Sequence, residues 1–250
     1  MSEQQGLFVG LIPDGNRRWA EKQGVSVIEG HEAGAERVKK IFERARDETI
    51  IRIIAAWGLS CKNLEKRPPD QLEGLYALIE STLVDLRDHW MDRPENKNVR
   101  MVHMGRRDRL KENVGGREVL SRLDEIAMHT RDRTGMIIAL CLDYDGNNER
   151  KRAIEMWRAC GALGNGDDFL QYLDLQRQRI PFQRVDLVIR TGEDGMDENG
   201  DGHHHNNEFL HEYRDDTEDA PHKILLPDYT PDHFSADLRN FLRTKRRKGA

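Results

Sequence analysis

A chain of 250 residues can bury one large core or two small ones, and this one carries 34% charged residues, a net charge of −5 and three cysteines. The acidic balance argues against a general nucleic-acid binder, no apolar run of about 18 residues is present to span a membrane, and three cysteines without CxxC spacing fit a reducing compartment. The first five residues have neither the basic nor the apolar region of a signal peptide, so the expected location is cytoplasmic.

The first predicted element is a buried strand, Leu7–Ile12. It runs into Pro13-Asp14-Gly15-Asn16-Arg17-Arg18-Trp19, a tight turn and then a helix start with two arginines. Free backbone N–H groups and the helix dipole make such a junction an anion site. A single carboxylate among them suits a divalent metal bridging to a phosphate. The same residues also suit a plain strand-to-helix turn capped by Asp14. Helical spacing of Ala33, Val38, Ile41, Phe42 and Ala45 predicts a helix over 33–45, and residues 50–57 read as a second strand. The polar stretch from Trp57 to Pro68 offers Ser60, Asn63 and Arg67, either as ligand groups or as a mere connection.

A long helix is predicted over 72–90, with a broad apolar face that reads as core. Strands over 99–104 and 136–142 alternate with helices over 119–128 and 153–159. A strand over 185–189 then ends in Arg190-Thr191-Gly192. Residues 193–222 are rich in Asp, Glu, Asn, Gly and His and read as a polar, acidic insertion; its His203-His204-His205 triplet reads as loop sooner than as a metal site. A sixth strand over 224–226 and a helix over 234–242 close the chain, and the basic run 243–248 suits a helix C-terminus. This alternation predicts an α/β fold: a single domain over 1–250 with a mostly parallel six-stranded sheet flanked by helices. Asp14, Ser60, Asn63 and Arg190 each follow a predicted strand, so they converge on the carboxyl edge of that sheet.

These residues resemble the motifs of the cis-prenyltransferases, the undecaprenyl diphosphate synthase family. Asp14 to Ala20 resembles DGNxRWA, and Gly30-His31-Glu32-Ala33-Gly34 resembles GHxxG. Ser60, Asn63, Arg67 and Pro68 resemble FSxEN-(W/F/L)-xRP with one extra residue, and Gly105 and Arg109 resemble GDxxRL. Asp186 to Gly192 resembles DLxIRTxGE, Leu226-Pro227-Asp228-Tyr229 resembles WPDF, and Arg247-Lys248-Gly249 resembles the C-terminal RxG.

The resemblance implies condensation of isopentenyl diphosphate with an allylic diphosphate such as farnesyl diphosphate, giving a longer cis-polyprenyl diphosphate. It implies Asp14 and Asn63 as catalytic residues, and Mg²⁺ held by Asp14 and Glu218. Gly15, Asn16, Arg17, Arg18, Trp19, His31, Ser60 and Arg67 are implied as substrate-binding, together with Arg190, His205 and Asn207 on the isopentenyl diphosphate side. It further implies a homodimer near a membrane surface, with no nucleic acid. Two arginines of the family pattern are replaced, by Val27 and by His205. Such departures keep two alternatives in view: a terpene synthase, branching or cyclising enzyme on the same fold, and a non-catalytic partner subunit.

Overall fold

The computed structural model describes residues 6–162, 164, 167–192 and 209–247. Five apolar runs become strands: β1 (Leu7–Ile12), β2 (Ile51–Ser60), β3 (Arg100–Met104), β4 (Ile137–Tyr144) and β5 (Leu187–Arg190). They are mostly buried on both faces, as continuous rather than alternating apolar sequence requires. A short β6 (Glu218–Pro221) completes the order β3-β4-β2-β1-β5-β6, and every neighbouring pair is parallel.

The helices are α1 (Asn16–Gln23), α2 (Val27–Asp47), α3 (Cys61–Lys66), α4 (Pro69–Asp85), α5 (Val114–Thr130), α6 (Gly146–Ala159), α7 (Asp174–Arg177) and α8 (Pro231–Arg247). Helix α4 runs on into a wider turn, Leu86–Trp90. On one sheet face α2, α4, α5 and α8 bury Ile41, Phe42, Leu83, Trp90 and Phe234. The other face carries an aromatic core of Phe8, Tyr144, Phe169, Phe209 and Tyr213. Because all strands run the same way, β1, β2, β4 and β5 deliver Asp14, Ser60, Asp145 and Arg190 to one edge. The sheet's outer edges are blunted. Gly105 donates to Asp174 Oδ2 and Gln178 Nε2 to the His103 carbonyl, both at 2.9 Å beside β3. β6 is short and ends in proline.

Two expectations need correction. The sixth strand is Glu218–Pro221, not 224–226; Leu226 instead opens a tight helical turn, Leu226–Asp228. The apolarity of 224–226 reports burial under the Asp14 loop, while a polar edge strand has no apolar run to betray it. The acidic insertion is also shorter than expected, because residues 209–222 are folded. Phe209 stacks on Trp57 at 5.0 Å between ring centres. The Tyr213 hydroxyl donates to Glu149 at 3.0 Å, and the same buried carboxylate takes the Tyr144 hydroxyl at 2.6 Å and the Asp174 N–H at 2.8 Å. Residues 193–208, including His205 and Asn207, lie outside the described residues, as do Lys248 and Gly249.

Helices α1 and α2 meet through glycines. A Cβ on Gly30 would stand 2.5 Å from the Asn16 carbonyl and 2.8 Å from the Ala20 Cβ, and one on Gly34 would collide with the Asn16 carboxamide. Gly30→Ala is expected to lower stability by about 1–3 kcal/mol, the usual cost of overpacking. A urea titration checks it: the midpoint should fall while the slope stays unchanged.

Candidate active site

The Asp14 loop is stitched from two directions. The Thr191 hydroxyl accepts the Asp14 N–H at 2.9 Å and donates to the Asp14 carbonyl at 2.8 Å. The Leu226 N–H donates to that same carbonyl at 3.1 Å, and the Gly192 N–H donates to the Ile224 carbonyl at 2.7 Å. Gly15 turns the chain at φ 108°, and a Cβ there would stand 2.9 Å from Leu225, so only glycine fits. The Asp14 carboxylate stands between two arginines, 3.3 Å from Arg18 and 3.0 Å from Arg190, with its side chain 40% exposed.

Asn16 and His31 form the next part of the wall. The Asn16 Nδ2 lies 3.2 Å from His31 Nδ1. An amide N–H donates there, so Nδ1 is the accepting nitrogen and the proton sits on Nε2. Burial, with the Arg67 charge nearby, pushes His31 down to about 4. At neutral pH it is therefore an uncharged hydrogen-bond donor rather than an acid. Arg67 is itself lowered, first by burial and then by the Arg17 charge. Arg17 and Arg67 make no ion pair among the described residues, so two mutually repelling guanidinium groups stand ready for an anion.

Ser60 caps α3, accepting the Asn63 N–H at 3.1 Å. The expected polar loop is thus a short helix that sets Lys62, Asn63, Lys66 and Arg67 along one cavity. That cavity encloses about 830 Å³ and has two chemical halves. Its mouth carries Asp14, Gly15, Asn16, Arg17, His31, Ser60, Asn63, Arg67 and Arg190. Its depth is apolar, walled by Val38 and Phe42 of α2, Leu75, Ile79 and Leu83 of α4, and Met101 and Leu140 of the sheet. The 72–90 segment therefore lines this cavity as well as the core.

Not every expected residue faces this space. Arg18 turns to the Gly192 carbonyl and Asp14, and the Trp19 indole donates to Asp228 at 2.9 Å, so both brace the loop from outside the cavity. Glu218 does not join Asp14 within the chain. It pairs with Leu187 at the start of β5, three residues before Arg190, or about 10 Å down the strand. Val27 lines the mouth with no charge to offer. Sequence reading missed Thr191 as the loop's tether and Asp145 and Lys66 as lining residues. Thr191 stood inside a recognised motif, whereas nothing local marked Asp145.

Among the described residues no group of three acidic, histidine or cysteine side chains can cage a metal. One half-exposed carboxylate beside a cationic mouth still fits Mg²⁺, which takes one or two carboxylates and draws its other oxygens from phosphate and water. No described helix is long and apolar enough to cross a membrane.

The undecaprenyl diphosphate synthase family model matches residues 12–249. The chain is 28% identical to an isoprenyl transferase of Aquifex aeolicus over 250 residues, covering 100% of this chain and 98% of that one. It is 29% identical to a geranylgeranyl-diphosphate-specific tritrans,polycis-undecaprenyl-diphosphate synthase of Halobacterium salinarum, over 97% of this chain and 74% of that protein. Its fold matches lavandulyl diphosphate synthase from Lavandula x intermedia with a TM-score of 0.79 over 96% of both chains, at 23% identity.

The His31 environment has a measurable consequence. The unfolded chain protonates this imidazole near 6.5 and the folded chain only near 4. Between those values the unfolded state binds more protons, so this contribution to stability falls as pH drops from about 6.5 to about 4. Imidazole NMR should give a His31 midpoint near 4, rising when a diphosphate binds. A midpoint near 6.5 in the free protein would remove the neutral-donor assignment.

Proposed function

The chain belongs to the undecaprenyl diphosphate synthase family and is a cis-prenyltransferase, and we propose that it joins isopentenyl diphosphate to an allylic diphosphate in the cavity behind Asp14. A single observation carries this: one 830 Å³ space whose mouth is cationic and whose depth is apolar. Such a space suits a charged diphosphate head joined to a hydrocarbon tail. It offers the terpene-forming and partner-subunit alternatives no specific support.

The reaction breaks the allylic C1–O bond, and the electron pair leaves with the diphosphate. The Gly15 and Asn16 N–H groups at the start of α1, the Arg17 and Arg67 guanidiniums and the His31 Nε2–H face that growing charge. Arg190, on the other side of Asp14, takes the second diphosphate, that of isopentenyl diphosphate. The isopentenyl C3–C4 π pair bonds C4 to the allylic C1, the C2 proton passes to an oxygen of the departed diphosphate, and the freed C–H pair becomes the new C2–C3 double bond. Asn63 orients the reacting ends from the first turns of α3. Asp14 would hold Mg²⁺, which when bound would supply further neutralisation of the leaving charge. The walls of Phe42, Leu75, Ile79 and Leu83 hold the tail and exclude water from the cationic centre.

Incubation with labelled isopentenyl diphosphate, farnesyl diphosphate and Mg²⁺ should give extended product. Asp14→Ala should lose about 10²–10³-fold in kcat, as for other charge-stabilising groups, and a chelator should abolish turnover reversibly. Failure of the wild type to extend any allylic diphosphate would overturn the reading. The proposal includes a homodimer, supported by the family-like Arg247-Lys248-Gly249 end and checked by sedimentation at twice the 29.0 kDa chain mass. It also includes a position near a membrane surface, where a long apolar product would partition.

A further inference from the structure

Helix α3 has six residues, far below the length at which a helix is stable alone, and it presents Lys62, Asn63, Glu65 and Lys66 to solvent or the cavity. Something outside it must fix its position. Leu64 packs on the core and Arg106 comes within 3.9 Å of Glu65, and the Arg109 guanidinium contacts the helix on two sides. Its Nη2 donates to the Cys61 carbonyl in the first turn at 3.0 Å, and its Nη1 meets Glu65 Oε1 at 2.8 Å. The same guanidinium grips Asp143 near the end of β4, through Nε at 3.1 Å and through Nη2.

Asp143 is a built anchor. Its side chain is fully buried, its φ is 48°, and Arg106 Nη2 adds a third contact at 3.0 Å. Its carbonyl accepts the Arg106 N–H at 3.1 Å and the Cys61 thiol at 3.4 Å. Aspartate is among the few non-glycine residues that visit positive φ, and here its side chain is held there by Arg106 and Arg109. The chain therefore holds one rigid path: the end of β4, Asp143, Arg109, the first turn of α3, then Asn63.

We propose that Arg109 is a positioning residue for the condensation, setting the placement of Asn63 by clamping α3 to the buried Asp143. This rests on the prenyl-transfer reading above for the role of Asn63, but not for the clamp itself. The fork matters: one planar cation reaches a carboxylate, a backbone carbonyl and a second carboxylate at once. A lysine in its place is a single point charge and must abandon some of them. The exposed Glu65 contact contributes little, so the Cys61 and Asp143 branches carry the placement.

Arg109→Lys tests this in two ways. In a double-mutant cycle, Arg109→Lys should lower kcat by about 10–100-fold in the wild type, the scale expected of a misplaced reacting group. It should cost less than about threefold when Asn63 is already alanine, because the two losses are one loss. Equal costs in both backgrounds, or no cost in the wild type, would overturn the proposal. The second readout needs no activity. Cys61 and Cys141 are buried and Cys160 is exposed. In a Cys160→Ser background, Arg109→Lys should speed thiol labelling of Cys61, mapped by mass spectrometry, while Cys141 stays protected. Unchanged Cys61 labelling, or Cys141 labelling rising in step with it, would equally refute a local clamp. A wild type that extends no substrate would fail the functional reading alone, leaving the labelling result to stand or fall by itself.

Discussion

The backbone of Asp14 is held by groups about 180 and 210 residues away, and the site depends on that hold. Thr191 spends its hydroxyl on both the N–H and the carbonyl of Asp14, and Leu226 adds a third bond. Around this, Asp228 takes the Trp19 indole and the Pro227 carbonyl takes Arg37 at 3.0 Å. The β1 loop is thereby pressed between the end of β5 and the tight turn at 226–228. A loop fixed this way keeps its N–H groups aimed at a ligand before the ligand arrives. Pre-set donors need no rearrangement as charge develops, and this makes them effective in stabilising a leaving diphosphate.

That rigidity lets the site concentrate positive charge without collapsing on itself. Asp14 neutralises Arg18 and Arg190, which lie on either side of it. Arg17 and Arg67 are left to repel one another, and the Arg67 charge also bears on His31, which stays uncharged. A third cation there would add to the repulsion; a neutral donor adds a hydrogen bond without it. The missing charge at Val27 is consistent with a mouth already crowded by Arg17, Lys62, Lys66 and Arg67. The acidic net charge of the whole chain conceals this local excess entirely.

Behind the mouth, the sheet does two jobs with one geometry. Its parallel strands bring functional loops to one edge, and the same face continues as the apolar wall of the cavity toward Met101. Helix α4, reaching along that face, closes the other side. Small residues let the elements approach: Gly30 and Gly34 bring α2 onto Asn16 so that His31 meets its carboxamide. The fold of the described residues 209–222 follows from a different force. Phe209 and Tyr213 are apolar enough to enter the aromatic core, and Glu149 is buried only because three donors satisfy it.

Local sequence determined the strands with continuous apolar runs, the helices with clear periodicity and the convergence of Asp14, Ser60, Asn63 and Arg190. These follow from short-range patterning and from the single direction that strand–helix alternation imposes. What the tertiary structure alone decided was orientation. It turned Trp19 and Arg18 out to brace the loop. It also set Glu218 about 10 Å down β5 from Arg190 and brought Asp145 to the cavity. Each of those outcomes depends on a partner far away in the chain, such as Asp228 for Trp19 or Gly192 for Arg18. The residues beside a side chain in sequence fix its chemistry and its element. Which group it meets is set by long-range packing, and no local pattern carries that information.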